Sequence, residues 1–320
     1  MKAASHENFH FHELLRLAAL LTAFFVFVLA AAAEETRIPV VTTILPYKEF
    51  IEAVGGELVD VSVLIPPGAN PHAFELTPEG LKKAAAAKLY VKAGSGIEFE
   101  LVWADKIISQ RPKIAVCDSS RGIDMIGEEE AEGEHGHHPG GTDPHVWLSP
   151  RDARRIVENI RDCLIALAPE HAEKFHANAE RYQERLTALD REIAALFPPG
   201  GKRAFLVFHP SWGYFARDYG LEQIAIEAEG KEPSPRSLAR LIETARRKGI
   251  RTVFISPQTS DKTARAVAEA LGARVAIANP LAGDYLENLK RFAHAIAESG
   301  PGKRRLTEAA YSTDSNPMSR

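Results

Sequence analysis

Residues 169–197 read PEHAEKFHANAERYQERLTALDREIAALF. Phe175, Tyr182, Leu186, Leu189, Ile193 and Leu196 recur at threes, fours and sevens, the spacing of a helix with one apolar stripe. Pro169 suits a first helical turn, and Pro198-Pro199-Gly200 stops the element. At 1.5 Å per residue, a helix over the whole stretch would span ~43 Å. That exceeds an ordinary crossover between neighbouring strands and implies a rod joining two lobes.

Both flanks of the rod support this. Before it, residues 37–43 (RIPVVTT), 58–65 (LVDVSVLI), 88–92 (KLYVK) and 113–117 (KIAVC) are β-rich, with helices expected from Pro46, Thr77 and Glu98. After it, residues 203–208 (RAFLVF), 222–227 (EQIAIE), 251–256 (RTVFIS) and 273–278 (ARVAIA) repeat the pattern. Residues 235–248 between them place Leu238, Leu241, Ile242 and Ala245 at helical spacing. Strand–helix alternation with near-continuous apolar strands indicates parallel sheets covered on both faces. The expected fold is α/β: two lobes, each a roughly four-stranded parallel sheet flanked by helices, joined by a long rigid helix. The lobes would be residues 34–168 and 198–299, with linker 169–197 and a polar tail at 300–320.

The chain has 320 residues, 43 acids against 39 bases and two cysteines. Hydrophobic residues at 45% and charged residues at 26% are globular values and exclude wholesale disorder. A net charge of −4 gives no global reason to bind nucleic acid or an anionic membrane. Two cysteines make neither a disulfide framework nor a four-cysteine zinc site. Cys117 and Cys163 could pair in an oxidising compartment, or each could stay a buried thiol; their spacing decides nothing.

Residues 17–33 (LAALLTAFFVFVLAAAA) carry no charge, follow Arg16 and end in small residues. Basic flank, apolar core and small residues at the cut describe a secretory signal, here 1–33, cleaved near Ala33. An uncleaved anchor is the alternative, although the run is short for a spanning helix. Periplasmic localisation is the expectation.

Histidines meet expected strand ends. The second strand runs into Asn70-Pro71-His72, and the fifth into Phe208-His209-Pro210-Ser211-Trp212. His145 lies in Asp143-Pro144-His145-Val146-Trp147-Leu148-Ser149-Pro150, just ahead of a helix that Ser149 or Pro150 could open. Ligands of open α/β sheets bind beyond the carboxyl ends of strands. Taken singly, each histidine also fits a hydrogen-bonded loop or core role, and the spacing matches no local zinc motif.

Together with Gly-Lys-Glu-Pro-Ser-Pro at 230–235 and Asn-Pro-Leu at 279–281, these motifs give a resemblance. The chain resembles the zinc/manganese-binding solute-binding proteins of ABC transporters (cluster A-I) over roughly residues 39–298. The resemblance implies two α/β lobes, a rigid linking helix and one metal in the cleft. It implies His72 and His145 as ligands from the first lobe and His209 from the second. Histidine at the third position resembles the zinc type, so Zn(II) is the expected cargo and Mn(II) the lesser candidate. The family's usual aspartate is Asn279 here. The fourth position could then be filled by Asn279 oxygen, by water, or by an acid such as Glu75 or Asp284. Glu227 and Glu229 could support the site.

Residues 127–142 (GEEEAEGEHGHHPGGT) form an acidic, His-rich loop. His135, His137 and His138 could capture metal weakly for the main site, or the stretch could be a solvated acidic loop. The implied partners are an ABC permease and a separate ATPase chain, since no Walker motif occurs; a monomer is expected. A zinc hydrolase with three histidines and water is the rival from another class. No general base or Gly-x-Ser-x-Gly motif supports it, and no cell-wall or lipid anchor supports a surface adhesin.

Overall fold

The computed structural model describes residues 37–127, 141–201, 203–227, 233–258 and 262–299. The expected signal at 1–33, the loop residues His135, His137 and His138, Glu229, and the tail at 300–320 lie outside the described residues. Among the described residues, no helix is long and apolar enough to cross a membrane.

The first half contains β1 (Ile38–Thr42), α1 (Leu45–Gly55), β2 (Val59–Val63), α2 (Pro78–Ala86), β3 (Leu89–Lys92), α3 (Glu98–Gln110), β4 (Ala115–Asp118) and α4 (Pro150–Leu167). The rod is α5 (Ala172–Leu196). The second half contains β5 (Arg203–Val207), α6 (Gly213–Tyr219), β6 (Leu221–Ala225), α7 (Pro235–Arg247), β7 (Thr252–Ile255), α8 (Lys262–Leu271), β8 (Arg274–Ile277) and α9 (Tyr285–Glu298). Every expected strand is present, shortened or shifted by one or two residues at its ends.

The halves build the same sheet twice. The strand orders are β2-β1-β3-β4 and β6-β5-β7-β8, and all pairs are parallel. Parallel pairing leaves both faces to be covered. Val40, Val41, Tyr90 and Val91 are accordingly buried on either side of the first sheet.

Local signals set the helix starts. Thr77, Ser149 and Ser234 are N-caps whose hydroxyls accept from Gly80, Asp152 and Ser237 N–H, and a proline follows each cap. The rod is shorter than its sequence stretch. Pro169–His171 forms a separate 3₁₀ turn, and the α-helix proper begins at Ala172. Its 25 residues span ~37 Å. Phe175, Ala179, Tyr182, Leu186, Leu189 and Ile193 form its buried stripe.

That stripe packs against α1, α4 and α9, so both halves lie on the rod. Moreover, they share one core. It runs from Val40, Phe50 and Trp147 through Tyr182 and Leu186 to Phe205, Trp212 and Phe292. The Trp212 and Phe292 rings stack at 3.7 Å. A smaller core around Leu206, Leu241, Val253 and Val267 lies beneath α7 and α8. Two carboxylates fasten the rod to both halves. Glu49 of α1 accepts from Tyr182 Oη and from the Tyr285 N–H, each at 2.7 Å. Asp190 of the rod accepts from Arg151 at 3.1 Å and from Tyr219 at 2.9 Å.

Cys117 of β4 and Cys163 of α4 form a disulfide, the pairing their spacing left open. Asn159 reinforces this corner by donating to the carbonyls of Ser119 and Arg121.

Candidate metal centre

His72, His145 and His209 stand on loops that leave the carboxyl ends of β2, β4 and β5. Two of these loops use the same local device. The Asn70 side-chain oxygen accepts from His72 N–H at 3.1 Å, and Asp143 Oδ1 accepts from His145 N–H at 2.9 Å. A proline sits between acceptor and donor each time, presetting φ and bringing no competing N–H. Asx-Pro-His therefore folds each histidine back over its own loop.

The three imidazoles converge. Their ring centroids are 4.8 Å (His72–His209), 5.4 Å (His145–His209) and 6.2 Å (His72–His145) apart. One ligand nitrogen from each lies within 4.8 Å of the others. A tetrahedral zinc with bonds of ~2.0–2.1 Å places its ligand nitrogens about 3.3 Å apart. A small inward shift of the rings would close that gap.

Each imidazole is braced by a carboxylate. Glu98 Oε2 lies 2.8 Å from His72 Nδ1, Asp143 Oδ1 lies 2.8 Å from His145 Nδ1, and Glu227 Oε2 lies 3.4 Å from His209 Nδ1. A carboxylate on Nδ1 keeps the proton there and leaves Nε2 as a lone-pair donor, the arrangement of carboxylate–histidine–metal triads. His209 Nε2 is buried and has no hydrogen-bond partner among the described residues. A buried ring nitrogen left without a partner is open to a ligand. Burial pulls the Glu98 carboxyl upward, yet the adjacent His72 outweighs it and holds the group below its ordinary range.

The β3–α3 loop that leads to Glu98 is itself fixed. Buried Glu100 accepts from Ala93 N–H at 2.7 Å, from Gly94 N–H at 2.9 Å and from Thr43 Oγ1. Ser95 Oγ donates to the Pro144 carbonyl at 2.5 Å, joining this loop to the one carrying His145. On the far side, Trp147 Nε1 donates to the Pro280 carbonyl at 2.7 Å.

Asn279 is differently employed. Its Oδ1 accepts from Leu281 N–H at 3.0 Å, making a third Asx-Pro turn, and from Gln258 Nε2 at 3.0 Å. Both lone pairs of its only side-chain oxygen are thereby used. Of the acids considered for the fourth position, Glu75 is exposed and Asp284 pairs with Arg291 at 2.6 Å. Neither belongs to the cluster formed among the described residues. Sequence reasoning missed Glu98 and Asp143 as braces. Asp143 had a readable signal, an acid two positions before a histidine with proline between; Glu98 had none.

A family model described as zinc-uptake complex component A, periplasmic (ZnuA), matches residues 40–299. The chain belongs to the ZnuA family. Among its relatives, the zinc-binding protein AdcA of Streptococcus pyogenes serotype M3 is 33% identical over 85% of this chain and 56% of its own length. The chain thus spans little more than half of that relative. The high-affinity zinc uptake system protein ZnuA of Bacillus subtilis is 31% identical over 84% of this chain and 90% of its own. A crystal structure of a ZnuA deletion mutant with zinc bound is 37% identical, with a TM-score of 0.77. It covers 84% of this chain and all (100%) of its own. The family's fold is the one expected from the strand pattern.

Proposed function

We propose that this chain is an extracytoplasmic solute-binding protein that captures Zn(II) between its two halves and delivers it to an ABC permease served by a separate ATPase chain. His72, His145 and His209 are the ligands. The observation that carries this is three converging imidazoles, each braced at Nδ1 by its own carboxylate. Imidazole donors suit zinc over hard, oxygen-preferring ions, which makes Mn(II) the weaker cargo. The three braces also offset the charge of a bound dication. With Asn279 oxygen engaged by Leu281 and Gln258, water completes the tetrahedron.

The site is a binding site rather than a catalytic one. Among the described residues, the three acids next to the imidazoles each face a ligand ring's Nδ1, whereas hydrolysis would need a base poised over the open position. The binding unit is residues 34–299, acting as a monomer after removal of the signal. The acidic loop with His135, His137 and His138 serves as an auxiliary metal collector.

The test is a competitive titration of metal-stripped protein with Zn(II) and Mn(II), beside His209→Ala. Tight one-to-one zinc binding, abolished in the variant, is expected. Binding that ignores His209 would overturn the assignment.

A further inference from the structure

The segment carrying His145 belongs to the first half by chain order, yet the second half grips it. Tyr214 of α6 is fully buried, and its hydroxyl donates to the Asp143 carbonyl at 2.8 Å and accepts from Ile126 N–H at 3.0 Å. Met125 Sδ lies 3.5 Å from the same oxygen, a weaker acceptor than the carbonyl. Burial pushes the phenol well above its ordinary value, so it remains a donor. The Arg217 guanidinium covers the ring at 4.9 Å.

The preceding residue matters as well. A Cβ on Gly213 would come within 2.5 Å of Asp143 Oδ2. Only a residue without a side chain lets α6 approach the carboxylate this closely. Asp143 Oδ1, on the same carboxylate, holds both the backbone N–H and the ring Nδ1 of His145. Thus Gly213 abuts one oxygen while Tyr214 holds the carbonyl of the same residue. Both lie four to five positions beyond His209 in the chain.

We propose that Gly213 and Tyr214 are positioning residues that set the pose of Asp143, and through it His145, from the opposite half of the protein. The second and third histidines are thereby kept in register by one short stretch, 209–214. This rests on the metal-binding role proposed above and adds residues that touch no metal.

The test is a double-mutant cycle in zinc affinity, read by chelator competition on the full chain. Tyr214→Phe is expected to weaken zinc about 10–100-fold, the usual effect of losing an outer-shell partner. Combined with Asp143→Asn, it should weaken binding little beyond the worse single variant, because both act through His145. Combined with Glu98→Ala, which acts on His72, the factors should multiply. Gly213→Ala should also weaken binding. In metal-free protein, the His145 Nδ1–H resonance should shift in Tyr214→Phe and Gly213→Ala. An unshifted resonance, or multiplicative behaviour with Asp143→Asn, overturns the inference. If the parent protein itself binds no zinc, the metal-binding role fails, and the resonance alone still decides whether Tyr214 positions His145.

Discussion

Glu98 Oε2 sits 2.8 Å from His72 Nδ1, although the histidine lies on the loop after β2 and the acid opens α3. This pair orients the most exposed of the three imidazoles, whose side chain is 29% accessible. Glu98→Ala should leave the fold intact and lower zinc affinity about 10–100-fold. Calorimetric titration beside the parent protein checks this, and an unaltered affinity would show the contact to be incidental.

Asn279 offers a gain-of-function test. Its oxygen is used by Leu281 N–H and Gln258 Nε2. Asn279→Asp would keep one oxygen on the turn and put a second, negative oxygen in place of the amide nitrogen. Zinc affinity should rise about tenfold, or about 1.4 kcal/mol. Chelator competition reads the change directly, and no gain would mean that residue 279 cannot reach the metal.

Glu100 predicts a pH dependence of stability. Burial raises its carboxyl above the ordinary value, only partly offset by Thr43, Gly94, Ala93 and Lys92. The folded state therefore holds this proton more tightly than the unfolded state does. The associated stability is fully present below the unfolded carboxyl pKa of about 4.3 and is lost as pH rises through the folded value. Urea melts of the parent and Glu100→Gln at pH 5 and pH 7 should show the parent losing ground to the variant at the higher pH. The opposite drift would mean that the three donors and Lys92 outweigh burial.

The Cys117–Cys163 bridge closes a separation of 46 residues. Replacing both cysteines by alanine should lower the unfolding free energy by about 2–4 kcal/mol. Zinc affinity should hold within about threefold, because neither cysteine touches the histidine cluster. A large loss of affinity in a folded double variant would place the bridge among the determinants of the site.

Much of this was legible in the chain. β-rich, near-continuous apolar runs located all eight strands among the described residues, because parallel strands buried on both faces carry long apolar stretches. Period 3.6 located the rod, although Pro169 opened a 3₁₀ turn instead of the helix itself. The three histidines were singled out by their places beyond strand ends and ahead of a helix, and by the resemblance their motifs carry. Pairings between distant segments were not readable. Glu98 meets His72, Tyr214 meets Asp143 and Gln258 meets Asn279 only through tertiary packing. Two lobes joined by a rod were expected, and one core running through both was not. The stripe on the rod gave its own buried face but not that Phe205 and Phe292 from the other side would continue it.

The bridge between Cys117 and Cys163 has one more effect. It encloses residues 118–162, which include His145, its brace Asp143 and the acidic stretch with its three histidines. A protease that cuts the backbone anywhere in that ring leaves two pieces still tied by sulfur. Nicked protein would migrate as one species without reductant and as two fragments with it. In a compartment rich in proteases and poor in reductants, such a cut would not release either fragment.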